Sequence, residues 1–353
     1  MEGRPPVVVV TGASAGIGRA VAVAFGGRGW SVALLARGGE RLDSAVRAVE
    51  AAGGRARAFQ VDVADAAAVT AAADRAVAAF GGLDVWINNA MATVYGPVSA
   101  LDAGEIARVT AVTYLGQVHG TLAALRHMRR RDHGTIVQIG SALAYRAIPL
   151  QSAYCAAKFA VRGFTDSLRS ELLHEGSRIR LTMVQLPAVD TPQFDWARNH
   201  LPHRVQPVPP IHDPEAVADV ILRAAVEAPR ELWVGLPTVQ AIMGTMAAPG
   251  RMDRVMADRA WPGQMTDEPA RRRPDNLFEP APGDPGARGR FGDREGSGVM
   301  AVSDAAIRGV AAAVAVGALA AALGIGFGLG RRRAGRRGGR LTAHGAEHGG
   351  LVR

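Results

Sequence analysis

The chain has 353 residues, of which 48% are hydrophobic, enough to bury the core of a domain of about 200 to 250 residues and leave sequence over. Cys155 is the only cysteine, which excludes an intrachain disulfide and a cysteine-based zinc site. The formal net charge of +9 would suggest a nucleic-acid binder, but residues 331–353 carry seven arginines against the single acid Glu347, so the basicity belongs to a tail.

Short apolar runs rich in β-branched residues alternate with alanine-rich stretches over the first two thirds of the chain. The alanine-rich stretches have apolar residues at three- and four-residue spacing, which predicts helices over 40–52, 66–80, 104–130 and 153–175. The predicted strands are Val7–Val10, Ser31–Ala36, Ala58–Val63, Val85–Ile87, Thr135–Ile139, Ile179–Gln185 and Leu232–Val234. This alternation predicts an α/β domain with a doubly wound parallel sheet that ends near residue 235.

The first predicted strand runs directly into a glycine-rich turn, TGASAGIGRA, which opens a helix. Such a turn brings backbone N–H groups close to a pyrophosphate, and the N-terminus of the helix adds partial positive charge. Glycine is abundant, with 43 residues, so an ordinary strand-to-helix turn is the alternative. The position after the first strand favours nucleotide binding at Gly12, Gly16 and Gly18.

The stretch YCAAK, residues 154–158, contains the only lysine of the chain. Tyr154 and Lys158 are four residues apart, so they share one face of a helix. A tyrosine with a pKa of about 10 exchanges protons poorly at neutral pH, and a nearby positive charge favours its phenolate. An arginine would bring a larger, planar head group. The pair therefore indicates a proton-transfer site, against the alternative of an ordinary half-buried helix pair.

With these two motifs, the sequence resembles the short-chain dehydrogenase/reductase family over about residues 5–235. The matching elements occur in the family's order, and they are TGASAGIG, VDV at 61–63, NNA at 88–90, Ser141, YCAAK and LPAVDTP at 186–192. The resemblance implies a single Rossmann-type domain with about seven parallel strands. It also implies an oxidoreductase that interconverts an alcohol and a ketone or aldehyde by hydride transfer.

The resemblance gives each catalytic position a role. Tyr154 would be the general acid/base, and Lys158 would also hydrogen-bond the nicotinamide ribose. Ser141, at the end of the strand 135–139, would hold the substrate oxygen, although a serine there is more often a turn or cap residue. Thr113 stands where the family's usual tetrad has an asparagine, and it is the fourth candidate although it has no amide.

The same resemblance implies the coenzyme site. Arg37 follows the second strand near the adenosine ribose, where an acid would favour NAD and an arginine suits a 2′-phosphate. We therefore predict NADP rather than NAD, against the alternative of a solvated surface charge. The coenzyme-binding residues that follow are Gly12, Ser14, Gly16, Ile17, Gly18, Arg37, Asp62, Val63, Asn89, Ala90, Lys158, Val189 and Thr191. No metal site is expected.

Residues 192–210 lie where the family has a variable substrate lid. They include Phe194, Trp196 and Leu201, which would suit an apolar alcohol or ketone. The same side chains could equally pack the lid against the domain. The expected small-molecule partner is therefore an apolar alcohol or ketone of unspecified identity.

The chain changes character after the predicted catalytic domain, 1–235. Residues 236–306 turn increasingly to Pro, Gly, Arg and Asp, which bury too little apolar surface to fold alone, so we interpret them as an extension and linker. Gly309–Gly330 has no charged or polar side chain, and as a helix of about 33 Å it could cross a bilayer. This predicts a transmembrane helix over 307–330, against a helix buried on the domain, followed by a basic tail, 331–353.

These features predict a location. The residues before Val7 are too few and too polar for a signal peptide, so a cytoplasmic catalytic domain attached to a membrane is expected. The arginines after Gly330 also favour a cytoplasmic C-terminus, which leaves the topology open. The spacing of Gly324 and Gly328 could pair helices in a homo-oligomer.

Three functions from different classes stay open. The favoured one is a membrane-tethered, NADP-dependent oxidoreductase. The second is a nucleotide-sensing regulatory protein of the same fold without catalysis, which would not need Ser141, Tyr154 and Lys158 together. The third is a nucleic-acid binder, disfavoured because the arginines of the tail have no interleaved aromatic residues. No nucleic-acid partner is expected.

Overall fold

Eight strands form the central sheet, and they come from all parts of the described chain. The computed structural model describes residues 4–296, 299–307, 309 and 313. Within these residues, the strands of the sheet are β1 (Val7–Thr11), β2 (Ser31–Ala36), β3 (Arg55–Gln60), β4 (Val85–Asn88), β5 (Gly134–Ile139), β6 (Ile179–Gln185), β7 (Glu231–Val234) and β8 (Ala301–Ser303). Their order across the sheet is β8-β7-β6-β5-β4-β1-β2-β3.

Seven neighbouring strands of this sheet are parallel, and β8 is antiparallel to β7. The predicted doubly wound α/β sheet is confirmed. The third strand, predicted over Ala58–Val63, begins three residues earlier, at Arg55. Its first residues alternate between exposed and half-buried because it lies at the edge of the sheet, so they lack the continuous apolar run of a central strand.

Helices cover both faces of the sheet, and each layer encloses its own core. The helices of the domain up to residue 227 are α1 (Gly16–Gly26), α2 (Gly39–Ala51), α3 (Ala66–Phe80), α4 (Ala103–Thr110), α5 (Gly116–Met128), α6 (Ser152–His174), α7 (Gln193–Trp196) and α8 (Pro214–Glu227). One face is packed by α1, α2 and α8, around Phe25, Leu34 and Ile221. The other is packed mainly by α3, α5 and α6, around Trp86 and Met128.

The helix predicted over 104–130 is interrupted. It begins at a capping box in which Asp102 and Glu105 bond each other's backbone N–H groups. A π-helical turn, Ala111–Leu115, separates α4 from α5. Such single-turn π segments bend a helix and re-aim the side chains beside it, here next to the cavity described below.

Residues 236–304, interpreted above as extension and linker, belong to the same compact unit as the sheet, which ends at Asp304. They form α9 (Leu236–Ala247), α10 (Pro249–Val255), a π-helical turn (Met256–Ala260), α11 (Trp261–Gly263) and β8. Leu277 and Phe291 of this segment are buried against the domain. The linker interpretation is therefore corrected, because a segment too polar to build its own core can still bury a few side chains in an existing one.

Short two-stranded ladders tie this C-terminal segment to the lid region. Met265–Pro269 is antiparallel to His203–Val205, and Glu295–Gly296 is parallel to Ile211–His212. A third ladder joins Val94–Tyr95 to Arg198–Asn199. The lid is thus held by backbone hydrogen bonds from elements before and after it in the chain.

The prediction of a transmembrane helix is wrong for the part of the chain that the structure describes. None of the helices in that part is both long enough and apolar enough to cross a bilayer. The predicted helix, 307–330, lies outside the described residues apart from Ile307, Gly309 and Ala313. The predicted membrane attachment rested on that helix alone.

Candidate active site

A cavity of about 420 Å³ opens at the carboxyl ends of β1, β4, β5 and β6. In doubly wound sheets this edge is where ligands bind. Two of the predicted site residues, Gly18 and Thr113, lie outside the cavity wall. The predicted residues that line it are Gly12, Ser14, Gly16, Ile17, Arg37, Asp62, Val63, Asn89, Ala90, Ser141, Tyr154, Lys158, Val189 and Thr191.

The glycine-rich turn needs its glycines for two different reasons. Gly12 and Gly16 have φ angles of +67° and +57°, in the left-handed region that side chains disfavour. Gly18 packs against the turn, where a Cβ would collide with the carbonyl oxygen of Gly12 and with Asn89. Gly18 therefore lets α1 approach the turn closely, although it does not touch the cavity.

The N-terminus of α1 faces the cavity as a set of backbone donors. Its first residues, Gly16 and Ile17, line the cavity, and the capping residue Ala15 has no side-chain acceptor. The N–H of Gly16 donates to the carbonyl oxygen of Gly286 at 3.0 Å. Backbone N–H groups and the helix dipole at this point suit a phosphate group.

The loop after β4 is held against the glycine-rich turn. The hydroxyl of Thr11 accepts hydrogen bonds from the N–H groups of Asn89 at 2.9 Å and Ala90 at 3.1 Å. The side-chain amide of Asn89 donates to the carbonyl oxygen of Thr11 at 3.0 Å. These bonds give the predicted coenzyme residues Asn89 and Ala90 a fixed position beside the first strand.

Three predicted catalytic residues come together at the centre of the cavity. Tyr154 and Lys158 lie one turn apart on α6, with the ammonium Nζ 5.6 Å from the ring centroid of Tyr154. Nζ donates to the carbonyl oxygen of Ile139 at 2.6 Å. Ser141 follows β5 and lines the same cavity, with its hydroxyl accepting a hydrogen bond from the N–H of Leu143 at 3.1 Å. The site thus brings two hydroxyls and an ammonium into one cavity.

Burial disfavours the charged form of both titrating groups. It raises the pKa of Tyr154, against which the hydrogen bond with Ser141 acts in the lowering direction. Burial also lowers the pKa of Lys158 to about 7. A phenolate and an ammonium stabilise each other, so proton loss from Tyr154 is coupled to the charge on Lys158.

Thr113 does not take the place of the missing asparagine at the cavity. It lies in the π-helical turn and is fully buried. Its hydroxyl donates to the carbonyl oxygen of Ala92 at 2.8 Å and accepts from the N–H of the same residue at 2.9 Å. The candidate catalytic role is corrected to a structural one, because the short side chain uses its hydroxyl on the loop after β4.

Two arginines line the cavity beside the end of β2 and the start of α2. Arg37 donates to the carbonyl oxygens of Asn276 at 2.6 Å and Phe278 at 2.7 Å. Arg41, on the first turn of α2, donates to the carbonyl oxygen of Pro282 at 2.9 Å. The sequence analysis did not single out Arg41, which lies in the first turn of the helix that follows Arg37.

Apolar side chains of the lid and of the C-terminal segment line part of the cavity. Phe194 lines it, and Leu201 is buried in a cluster with Tyr95 and Leu150. Trp196 lines the cavity close to Arg41, with its ring 4.7 Å from the guanidinium. Packing of the lid against the domain therefore holds for Leu201, and contact with an apolar substrate stays a prediction for Phe194. The sequence analysis did not single out several further apolar residues, because they lie in loops or in the segment interpreted as a linker. Among those that line the cavity are Leu143, Ile148, Val208, Pro237, Met256 and Ala260.

Comparison with known proteins identifies the family. A family model described as short chain dehydrogenase matches residues 6–201. The chain belongs to the short-chain dehydrogenase/reductase family. This short-chain dehydrogenase/reductase is 31% identical over 276 residues to the uncharacterized oxidoreductase YxnA of Bacillus subtilis, covering 77% of each chain.

A second relative of this short-chain dehydrogenase/reductase is the fatty acyl-CoA reductase of Acinetobacter baylyi, 31% identical over 243 residues, which are 68% of this chain and 80% of that protein. Among solved structures, an alcohol dehydrogenase from the archaeon Thermococcus sibiricus, complexed with 5-hydroxy-NADP, is similar with a TM-score of 0.56. It is 26% identical, and the match covers 65% of this chain and 95% of that one. The predicted family and Rossmann-type fold are confirmed, and the family implies an oxidoreductase that uses NAD or NADP.

Proposed function

We propose that this chain interconverts an apolar alcohol and the corresponding ketone or aldehyde, using NADP(H). The observation that carries the proposal is the meeting of Ser141, Tyr154 and Lys158 in one cavity that continues to the glycine-rich turn. A pure nucleotide sensor would need the turn but not this proton-transfer group.

The residues of the cavity fit a nicotinamide dinucleotide. The N-terminus of α1 offers N–H donors to a pyrophosphate, and Gly12 gives the backbone the close approach that this needs. Lys158 would hold the nicotinamide ribose, and Val189 and Thr191 would contact the carboxamide. When bound, the coenzyme supplies or accepts the hydride.

The side chains of the site divide the remaining chemistry between them. Ser141 holds the substrate oxygen beside the hydroxyl of Tyr154. In the reductive direction Tyr154 gives its proton to that oxygen as the alcohol forms, and in the oxidative direction it takes the proton back. The ammonium of Lys158 stabilises the phenolate that remains after proton transfer. Apolar walls keep water from the transfer.

An apolar substrate is supported by apolar side chains of the lid and of the C-terminal segment. Phe194, Val208 and Met256 line the cavity. Gln151, Gln193 and Gln206 also line it, and their amides carry no charge. A relative of the chain is named a fatty acyl-CoA reductase and a structural neighbour an alcohol dehydrogenase, which is consistent with substrates that carry an apolar chain.

The proposed preference for NADP over NAD rests on Arg37 and Arg41, which would lie beside the adenosine ribose. We expect Arg37→Ala to weaken NADPH binding by about 1.5–3 kcal/mol, the range for a hydrogen bond to a charged group, with little change for NADH. Titration of both coenzymes by fluorescence measures this. Arg47→Ala, an exposed arginine of the same helix α2, is the control. Equal losses for the two coenzymes would refute the assignment.

The proposed function is tested on the full-length chain, because β8 at Ala301–Ser303 belongs to the sheet. The purified protein is incubated with NADPH or NADH and a panel of ketones and aldehydes whose chain length increases stepwise. Loss of reduced-nicotinamide absorbance reports turnover. We expect kcat/KM to rise with chain length. Coenzyme binding without turnover of any substrate would favour the nucleotide sensor instead.

A further inference from the structure

The backbone of Ser141 is held by a buried amide from the neighbouring strand. The N–H of Ser141 donates to Oε1 of Gln185, at the end of β6, at 2.8 Å. Gln185 is fully buried. Gly140 makes room for it, since a Cβ at that position would collide with the Gln185 amide. Gln185 therefore contacts the catalytic serine without lining the cavity.

A carboxylate on the next strand holds the other end of this amide. Nε2 of Gln185 donates to Oε1 of Glu231, on β7, at 2.7 Å. Glu231 is only 3% exposed. Its carboxylate also accepts from the hydroxyl of Tyr145 at 2.9 Å and from Arg230 at 3.3 Å. A buried carboxylate with these donors is satisfied on every side.

The chemistry of these groups fixes the orientation of the amide. A carboxylate only accepts hydrogen bonds, so the NH₂ end of Gln185 must face Glu231. The carbonyl end must then face the N–H of Ser141. Tyr145, four residues after Ser141, bonds the same carboxylate. Both ends of the segment 141–145 are therefore joined to Glu231, Ser141 through Gln185 and Tyr145 directly.

We infer that Gln185 is a positioning residue for the proposed reaction, and that Glu231 orients it. The pair holds the backbone of Ser141 so that its hydroxyl keeps its place beside Tyr154 in the cavity. The inference rests on the proposed function. It assigns a purpose to three buried polar residues, Tyr145, Gln185 and Glu231, that the coenzyme and the substrate do not require directly.

A double-mutant cycle tests this role through Ser141. We expect Gln185→Leu to lower kcat about 10- to 100-fold, as for a small misplacement of a reacting group, while the Kd for NADPH changes less than about two-fold. In a Ser141→Ala background the same substitution should cost almost nothing more. The matched control is Gln138→Leu, a buried amide on β5 that bonds Asn88 and Thr121 instead.

Amide hydrogen exchange of residues 141–145 gives a readout that does not need turnover. Gln185→Leu and Glu231→Gln should both speed exchange there, and Gln138→Leu should not. Additive losses in the double mutant, or an equal kcat loss in Gln138→Leu, would show a merely structural role. A wild-type chain without turnover would overturn the proposed function and the positioning role with it, whereas a wild type that works and a Gln185→Leu variant that works equally well overturn the positioning role alone.

A second inference comes from residues 276–291, here called the strap. Its backbone carbonyl oxygens accept hydrogen bonds from three groups at the coenzyme end of the cavity. Arg37 donates to residues 276–278, Arg41 to residues 281–283, and the N–H of Gly16 to Gly286. The strap thus lies along the donors that the proposed coenzyme would use.

Side chains anchor the strap at both ends and in the middle. Leu277 is fully buried, and the N–H of Phe291 donates to the carboxylate of Asp190 at 3.2 Å. Asp284 forms an ion pair with Arg19, on α1, at 2.5 Å. Arg19 also donates to Ser44 on α2 at 2.8 Å. The middle anchor is therefore an ion pair close to the start of α1.

The strap and a dinucleotide require the same hydrogen-bond donors. A carbonyl oxygen is a neutral acceptor, and a phosphate is a charged one that forms shorter and stronger bonds with a guanidinium. One N–H group cannot make a strong hydrogen bond to a strap carbonyl oxygen and to a phosphate oxygen at the same time. We propose that the strap is an autoinhibitory contact, which the phosphates of NADPH displace from Arg37 and Gly16. This inference also rests on the proposed coenzyme.

Loosening the middle anchor tests the competition. We expect Asp284→Ala to tighten NADPH binding about two- to five-fold, the scale of one exposed ion pair. The fluorescence of Trp196, whose ring lies 4.7 Å from the guanidinium of Arg41, reports binding. NADPH should also speed tryptic cleavage at Arg288 and Arg290 of the wild-type strap. Asp293→Ala, an exposed acid just beyond the strap, is the control.

The outcomes separate the two proposals. Weaker or unchanged NADPH binding in Asp284→Ala, or slower cleavage of the strap with NADPH, would overturn the competition and leave the proposed function standing. A change of equal size in Asp293→Ala would do the same. If neither the wild type nor Asp284→Ala bound NADPH or NADH, the coenzyme proposal itself would fall.

Discussion

Replacing Tyr154 by phenylalanine should abolish turnover, lowering kcat by about 100- to 10,000-fold, while NADPH binding stays close to that of the wild type. The phenyl ring fills the same buried space, but it has no proton to exchange with the substrate oxygen. Ser141 then has a substrate oxygen to hold and no acid beside it. Single-turnover absorbance measures the chemical step, and fluorescence titration measures the coenzyme affinity.

Tyr114→Phe is the matched control for this variant. Tyr114 lies in the π-helical turn and does not line the cavity, so the same atom is lost away from the reaction. Wild-type turnover in Tyr154→Phe, on a substrate that the unchanged enzyme accepts, would remove Tyr154 from its role as general acid. Tyr95, a buried tyrosine that also lines the cavity, would then be the candidate acid.

Lys158→Arg should damage both coenzyme binding and rate. The lysine is 1% exposed, and its ammonium already lies 2.6 Å from the carbonyl oxygen of Ile139, which leaves no space for a planar guanidinium. We expect a loss of at least about 100-fold in kcat/KM, because both the charge beside Tyr154 and the bond to the ribose are misplaced. Coenzyme titration and steady-state kinetics check the two effects separately.

Lys158→Met separates charge from size. A methionine follows the stem of the lysine without its charge, so this variant should fold and still lose turnover. Retained activity in Lys158→Met would contradict the electrostatic role of Lys158. Equal activity of Lys158→Arg and the wild type would contradict the steric argument.

The wild type and Lys158→Met should also differ in how their stability depends on pH. Burial lowers the pKa of Lys158 to about 7, whereas an unfolded lysine has a pKa of about 10.4. Between these values the unfolded chain binds more protons, so this residue makes the free energy of unfolding rise with pH from about 7 towards 10. Lys158→Met should flatten that rise in denaturant titrations. A slope equal to that of the wild type would show that Lys158 is protonated throughout the window.

Much of the site was predictable because its signals are local in sequence. Gly12 and Gly16 are required by the conformation of one turn, and Tyr154 and Lys158 meet because they are one helical turn apart. The alternating strands and helices likewise predict the sheet from short-range patterns. Ser141 could be placed because it directly follows a predicted strand, whose carboxyl end is where such sheets bind ligands.

Tertiary structure alone decided which polar side chains reach the cavity. Thr113 has the sequence position of a catalytic residue, yet its hydroxyl is spent on Ala92 because the π-helical turn directs it there. Gln185 and Glu231 carry no local signal, since their meaning depends on which strands are neighbours in the sheet. Arg37 could be recognised as a candidate from its place after β2, but not the strap carbonyls that bind it.

The C-terminal segment separates the features that local sequence specifies from those that only tertiary contacts decide. By itself, the sequence determined a parallel α/β domain, its glycine-rich turn and its proton-transfer pair, because short-range backbone and helical geometry specify these. It could not determine that Leu277 and Phe291 would find buried sites, or that β8 would extend the sheet, because a polar segment folds only against a surface made elsewhere. Contacts between residues far apart in the chain decided those features.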